Sequence, residues 1–180
     1  MDHKLFDIEG LVEFTPRVFA DDRGYFLETF SMKWFEAVGI QPNFVQDNQS
    51  VSKKGVLRGL HFQKPPFAQG KLVRVATGKA LDVAVDIRKN SPTYGQHVTC
   101  LLDSEKQNVF YIPEGFAHGF VALEEGTTFL YKCTNFYASA TEGGLLWSDP
   151  ALNIDWGLTD PLVSPKDEIL PLLQDFDSPF

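Results

Sequence analysis

Four histidines occur in this 180-residue sequence, His3, His61, His97 and His118. An imidazole ordinarily titrates near neutral pH, so these residues are the first candidates for proton transfer. His3 reads as part of a frayed end, and His97, in GQHVTC, as an outward polar residue on a strand. His61 and His118 have more suggestive neighbours. His61 lies in RGLHFQ, three residues after Arg58 and, across a Pro65-Pro66 turn, ahead of Lys71. His118 follows the Pro113-Glu114-Gly115 break in YIPEGFAHGF and precedes Gly119, whose missing Cβ lets backbone or ligand approach closely.

Two kinds of chemistry compete for these residues. A metal centre needs three or four convergent His, Asp, Glu or Cys donors, typically with an HxH pair on one strand. The sequence has no HxH and no HxxxE, and Cys100 and Cys133 lack CxxC spacing. Acid and base chemistry on a polar organic substrate fits better. Period-two alternation puts Lys71 on one face with Val73 and Val75, and Tyr131 on one face with Phe129 and Cys133. A lysine and a tyrosine that both point into apolar surroundings need polar partners, which suggests a polar pocket. The alternative is a Lys71 that snorkels at the rim and a Tyr131 that is plain core.

The elements that must position these side chains read as strands. Segments rich in Val, Phe, Tyr and Thr recur about every ten residues between Gly, Pro, Asn and Asp, the pattern of an all-β sandwich or barrel. Strands are expected at 11–19, 25–30, 44–51, 56–63, 71–76, 80–87, 96–102, 108–112, 117–123 and 128–137. The clearest hairpin is KLVRVATGKALDVAVDI, turning at Thr77-Gly78-Lys79. SMKWFEAVG predicts one short helix, with Ser31 as N-cap and Gly39 as terminator, and PKDEILPLL a second. Leucines and Ile169 in the tail from Pro161 onward should pack on the sheets, so residues 1–180 read as a single domain. Strict alternation creates one tension, because it sends Arg58 and His61 to opposite faces. A bulge at Gly59, or a site shared across a dimer, would reconcile them.

Charge and composition remove several function classes. Sixteen basic and 24 acidic residues give a net charge of −8, so a general electrostatic footprint for nucleic acid or anionic lipid is missing. No stretch approaches the roughly 18 apolar residues of a membrane span, and MDHKLFDIEG lacks a signal-peptide core. Two cysteines are too few for a disulfide framework, which favours reduced thiols and a cytoplasmic location.

Eight motifs in order then carry a resemblance over nearly the whole chain: FxDxRGxFxE (Phe19 to Glu28), QDNxS (Gln46 to Ser50), LRGLHFQ (Leu57 to Gln63), QGKLVRV (Gln69 to Val75), GKALDVAVDIR (Gly78 to Arg88), IPEGFAHGF (Ile112 to Phe120), YKCTNFY (Tyr131 to Tyr137) and SPKD (Ser164 to Asp167). This set closely resembles the dTDP-4-dehydrorhamnose 3,5-epimerase family. The resemblance implies a cupin-like jelly roll, a homodimer, and neither metal nor organic cofactor. It implies inversion at C3 and C5 of dTDP-4-dehydro-6-deoxy-D-glucose, where the C4 ketone acidifies both neighbouring C–H groups.

By the same match His61 is the base and Tyr131 the acid on the opposite ring face, while Lys71 stabilises the enolate. Asp167 is a candidate partner that orients His61, and Asp82 competes for that role. Arg23 and Arg58 match diphosphate contacts, and Lys166 and His118 match secondary anion or sugar contacts. Glu28, Gln46, Asp47, Asn48 and Glu142 match positions that bind the base or sugar, and Tyr137 the aromatic residue that stacks on thymine. Two rivals stand beside this reading: an epimerase acting at only C3 or only C5 of a related dTDP-4-keto sugar, and a non-catalytic sugar-nucleotide-binding cupin.

Overall fold

The computed structural model describes residues 1–180. Its strands are β1 (Asp2–Leu5), β2 (Val12–Thr15), β3 (Phe19–Asp21), β4 (Gly24–Phe26), β5 (Gln46–Ser52), β6 (Leu57–Gln63), β7 (Lys71–Thr77), β8 (Lys79–Asp86), β9 (His97–Asp103), β10 (Val109–Ile112), β11 (Phe116–Ala122), β12 (Thr127–Cys133) and β13 (Glu142–Gly144). A six-stranded sheet runs β1-β2-β10-β7-β12-β5, and a five-stranded sheet runs β13-β6-β11-β8-β9. Pairing within both is antiparallel. This is the all-β, cupin-like sandwich that the resemblance implies. Strands β3 and β4 form a separate two-stranded hairpin.

Alternation along each strand sorts the apolar residues into three layers. Between the sheets, Val73, Val75, Phe110 and Phe129 meet Ala80, Ala84, Phe116 and Phe120. The opposite face of the five-stranded sheet, with Leu60, Phe62, Val83 and Val85, is covered by Leu145, Leu152, Trp156 and the tail residues Leu173, Phe176 and Phe180. The opposite face of the six-stranded sheet is covered by Trp34 and Phe35, which pack on Val12, Phe14, Leu72 and Tyr111. A sheet covered on both faces has no reason to alternate in polarity, and all seven residues of β11 are buried.

Several boundaries differ from the expectation. The strand expected over 11–19 splits into β2 and β3, because Pro16 between them has no N–H for a ladder. The strand expected at 25–30 is only β4, and β12 stops at Cys133 instead of 137. Helix α1 spans Met32–Glu36 after Ser31, whose side chain makes no capping bond, and Gly39 at φ +72° follows it. PKDEILPLL forms no α-helix. It holds a 3-10 turn at Asp167–Ile169 and runs into another at Leu173–Asp175, with Pro171 between them.

The loop after β8 is organised by one buried carboxylate. Asp86 accepts from the Arg88 guanidinium at 2.7 and 2.9 Å and from the Ser91 and Thr93 hydroxyls at 2.6 Å each. Burial alone would raise its carboxyl, but these donors and the Arg88 amide outweigh that and lower it to about 2, from an ordinary 3.8. The lowered group stabilises the fold in full above the ordinary value, and the contribution disappears as pH falls toward 2. Asp86→Asn should therefore lose about 2 kcal/mol near pH 6 and close most of that gap near pH 2, read by urea unfolding. An equal gap at both pH values would contradict this assignment.

Candidate active site

The bulge at Gly59 decides which side chains meet. His118 pairs with His61 and Phe120 pairs with Arg58, so three steps along β6 span two along β11. Gly59 is the extra residue, at φ +139°, a conformation that side-chain-bearing residues rarely adopt. Leu57, Leu60 and Phe62 consequently face the outer layer, while Arg58 and His61 both face the cleft between the sheets.

That cleft contains two adjoining cavities of about 360 and 300 Å³, and both are walled by His61, Lys71 and Tyr131. The first also takes in Arg58, His118, Phe120, Phe129, Lys166 and Asp167. The second takes in Gln46, Asn48, Gln63, Cys133, Tyr137 and Glu142. The three side chains that the resemblance casts as base, acid and enolate donor therefore stand where the two spaces meet.

Asp167, buried in its 3-10 turn, places Oδ1 2.7 Å from His61 Nε2 and accepts the Gly59 amide on Oδ2 at 3.3 Å. Asp82, the competing candidate, does not reach His61. It lies on β8 with Oδ2 2.9 Å from His118 Nε2, and His118 Nδ1 lies 3.4 Å from Lys71 Nζ. Both ring nitrogens of His118 are thus engaged within the protein. With Asp167 at Nε2, His61 keeps Nδ1 for the cleft.

Electrostatics separate the roles these groups can play. Burial raises the Tyr131 hydroxyl, with Cys133 adding to the shift and Arg58 opposing it, so the phenol holds its proton and is suited to donate it. Burial lowers Lys71, while Cys133, Asp82 and Glu142 favour its charged form. At the mouth, Tyr137 donates to Glu142 at 3.0 Å and Lys166 pairs with Glu142 at 2.7 Å. Burial acts to raise Glu142, but Lys166 and Tyr137 overcome it and leave the carboxyl lowered. Arg58 is exposed and donates to Ser52 Oγ at 3.2 Å.

Three expected site residues fall elsewhere. On β5 the alternation that turns Gln46, Asn48 and Ser50 inward turns Asp47 outward, where it pairs with Lys132 at 2.8 Å. Arg23 lies on the exposed β3–β4 hairpin, paired with Asp21 at 2.6 Å. Glu28 follows on the exposed segment and lines neither cavity. The sequence reading also missed Ser50, whose buried Oγ has no partner and which lines the first cavity. The i, i+2, i+4 row of Gln46, Asn48 and Ser50 was the available signal.

Fold and cleft together define a cupin-like sandwich protein with an acid–base pocket between its sheets. The family model described as dTDP-4-dehydrorhamnose 3,5-epimerase matches residues 6–175. A Shigella flexneri protein described by the same words is 54% identical over 162 residues, 89% of this chain and 90% of that one. A solved dTDP-6-deoxy-D-glucose-3,5-epimerase from Legionella pneumophila, in complex with dTDP-4-keto-L-rhamnose, is 46% identical with a TM-score of 0.93, covering 98% of this chain and 94% of the other. A 3'-monoepimerase from Streptomyces bikiniensis, in complex with dTDP-quinovose, is 34% identical with a TM-score of 0.88, covering 94% and 86%. The chain belongs to the dTDP-4-dehydrorhamnose 3,5-epimerase family.

The bulge itself is testable. A Cβ on Gly59 would lie 2.5 Å from the Gly119 Cα, backbone that cannot swing aside. Gly59→Ala should lower stability by about 3 kcal/mol or more and pull His61 out of register with Asp167. A thermal unfolding curve matching that of the unaltered protein would show that the crossing tolerates a side chain.

Proposed function

We propose that this chain converts dTDP-4-dehydro-6-deoxy-D-glucose to dTDP-4-dehydro-L-rhamnose by inverting C3 and C5, a step toward dTDP-L-rhamnose. The observation that carries this reading is the convergence of the His61–Asp167 pair, Tyr131 and Lys71 on the junction of two cavities. No redox step is required. His61 takes the proton from a carbon beside the ketone, the electron pair moves to the C4 oxygen, and the enolate forms. Tyr131 then gives its proton to the opposite face, which inverts the centre. Solvent restores both groups before the second carbon reacts.

Each polar neighbour has a part in this cycle. Asp167 holds the imidazole by Nε2 and stabilises the imidazolium that forms, leaving Nδ1 to act as base. Lys71 meets the charge that develops on oxygen, where one preorganised donor contributes roughly 3 to 4 kcal/mol. Arg58 and Lys166 supply cations for the diphosphate. Gln46, Asn48 and Glu142 supply hydrogen bonds in the second cavity, and exposed Tyr137 presents its ring for stacking on thymine.

The functional unit in this reading is a homodimer. Phe19, Tyr25 and Phe26 are 51, 60 and 67% exposed on a hairpin that joins neither main sheet, an apolar surface that a second copy would cover. Docked so, the hairpin would carry Arg23 and Glu28 to a neighbour's cleft, giving both residues the substrate contacts they lack within one chain. The two free, buried thiols, Cys100 and Cys133, support a reducing, cytoplasmic setting.

The likeness to a 3'-monoepimerase keeps a second reading in view, inversion at a single carbon. Turnover in deuterium oxide distinguishes the two: label at both C3 and C5 is the expected result, and label at one carbon supports the rival. Binding of the nucleotide sugar with no exchange at all would mean a non-catalytic protein. His61→Ala should abolish exchange at both carbons with nucleotide affinity largely kept. Tyr131→Phe should continue to wash label into substrate while net inversion falls about 10²-fold or more. Unchanged inversion in Tyr131→Phe would remove the phenol from the mechanism.

A further inference from the structure

Asp82 is a buried acidic residue with no part in the proton-transfer cycle. It is wholly buried on β8, in the inter-sheet layer between Ala80 and Ala84, and its Oδ1 has no hydrogen-bond partner. A carboxylate held by one neutral contact in such a place is destabilising relative to an apolar residue, so its presence calls for a role beyond packing. Its one partner is His118, itself 7% exposed and tilted against the Phe129 ring.

Hydrogen-bond inventory fixes the direction of the chain that follows. A lysine ammonium has donors and no acceptor, so Lys71 Nζ, 3.4 Å from His118 Nδ1, must donate to it. Nδ1 is then unprotonated, Nε2 carries the proton, and that proton is given to Asp82 Oδ2. Protonating His118 fully would break its bond to Lys71. Burial lowers His118 and the Lys71 charge lowers it further, against the opposing pull of Asp82. Burial also raises the Asp82 carboxyl, against His118 and Lys71, which favour its carboxylate, so the neutral imidazole lies between two buried groups that each favour the other's charged form.

We propose that Asp82 is a positioning residue for Lys71: through His118 it fixes the accepting tautomer and supplies the buried counter-charge that keeps the ammonium charged and aimed at the cleft. The proposal rests on the epimerase reading, because the ammonium is needed there to receive enolate charge. The inserted imidazole has a clear physical advantage over a direct ion pair. A carboxylate touching Lys71 would occupy its N–H groups and neutralise its field at the cleft. The relay uses one N–H and leaves the others for the substrate oxygen. Other groups facing Lys71 are Cys133 and Tyr131 on β12, Glu142 on β13 and His61 on β6. Of these, only Glu142 is a carboxylate, and it is already paired with Lys166 and Tyr137.

The test is Asp82→Asn, which keeps an acceptor for His118 Nε2 and removes the charge. Lysine side-chain NMR without substrate should show the Lys71 titration midpoint fall by at least one pH unit. The basic limb of the kcat profile should move down with it, costing tenfold or more at pH 8.5 and little at pH 6, while KM changes less than threefold. A midpoint that stays in place overturns the counter-charge, even if the protein is less stable, since a merely structural carboxylate would lower Tm alone. A midpoint that falls while kcat keeps its profile overturns the catalytic link. If the variant does not fold, ¹⁵N NMR of His118 in the unaltered protein decides: neutral with the proton on Nε2 at pH 7 supports the relay, and an imidazolium or a proton on Nδ1 ends it. Neither NMR readout uses turnover, so an absence of epimerase activity in the unaltered protein would count against the function and not against the relay.

Discussion

Everything in the cleft depends on keeping ionisable side chains in an otherwise apolar layer without leaving them unpaired. The space between the two sheets is filled by Val73, Val75, Phe110, Phe120 and Phe129, surroundings in which a bare charge is strongly disfavoured. The sandwich meets that constraint with two histidine–carboxylate pairs, His61 with Asp167 and His118 with Asp82, whose imidazoles sit on adjacent strands. In one pair the imidazole keeps a nitrogen open to the cavity. In the other the second nitrogen accepts from Lys71, so two pairs with the same composition serve different ends.

The backbone makes this placement feasible. An uninterrupted β6 would turn either Arg58 or His61 away from the cleft, and the single extra residue at Gly59 brings both inward. Close approach of Gly59 to Gly119 is the condition for the crossing, because a Cβ on either glycine would collide with backbone of the other strand. The tail contributes as well. Beyond covering the outer face of the five-stranded sheet, it carries Asp167 back to His61, so the segment that completes the packing also completes the histidine–carboxylate pair.

Much of this was legible in the sequence because alternation is a strong signal where one strand face differs from the other. The β7–β8 hairpin and the inward Lys71 and Tyr131 follow from period two. Strands β1 (DHKL) and β13 (EGG) were not legible, since neither carries an apolar alternation and both exist through pairing with a neighbour. Resemblance supplied identities such as Asp167, but could not choose between it and Asp82. That choice depends on a contact across 106 positions of sequence. Asp47 marks the limit of a motif: it stands in sequence with Gln46 and Asn48, yet the pleat turns it outward to Lys132.

The central claim is geometric, that the imidazole and the phenol address opposite faces of one sugar ring while the ammonium reaches its C4 oxygen. A crystal structure with dTDP-L-rhamnose bound tests it most directly, because that sugar has no ketone and cannot react. The account predicts His61 Nδ1 and the Tyr131 hydroxyl on opposite sides of the ring, with Lys71 Nζ within hydrogen-bond reach of the C4 oxygen. Both groups on one face, or a ring lying outside the junction of the two cavities, would contradict it.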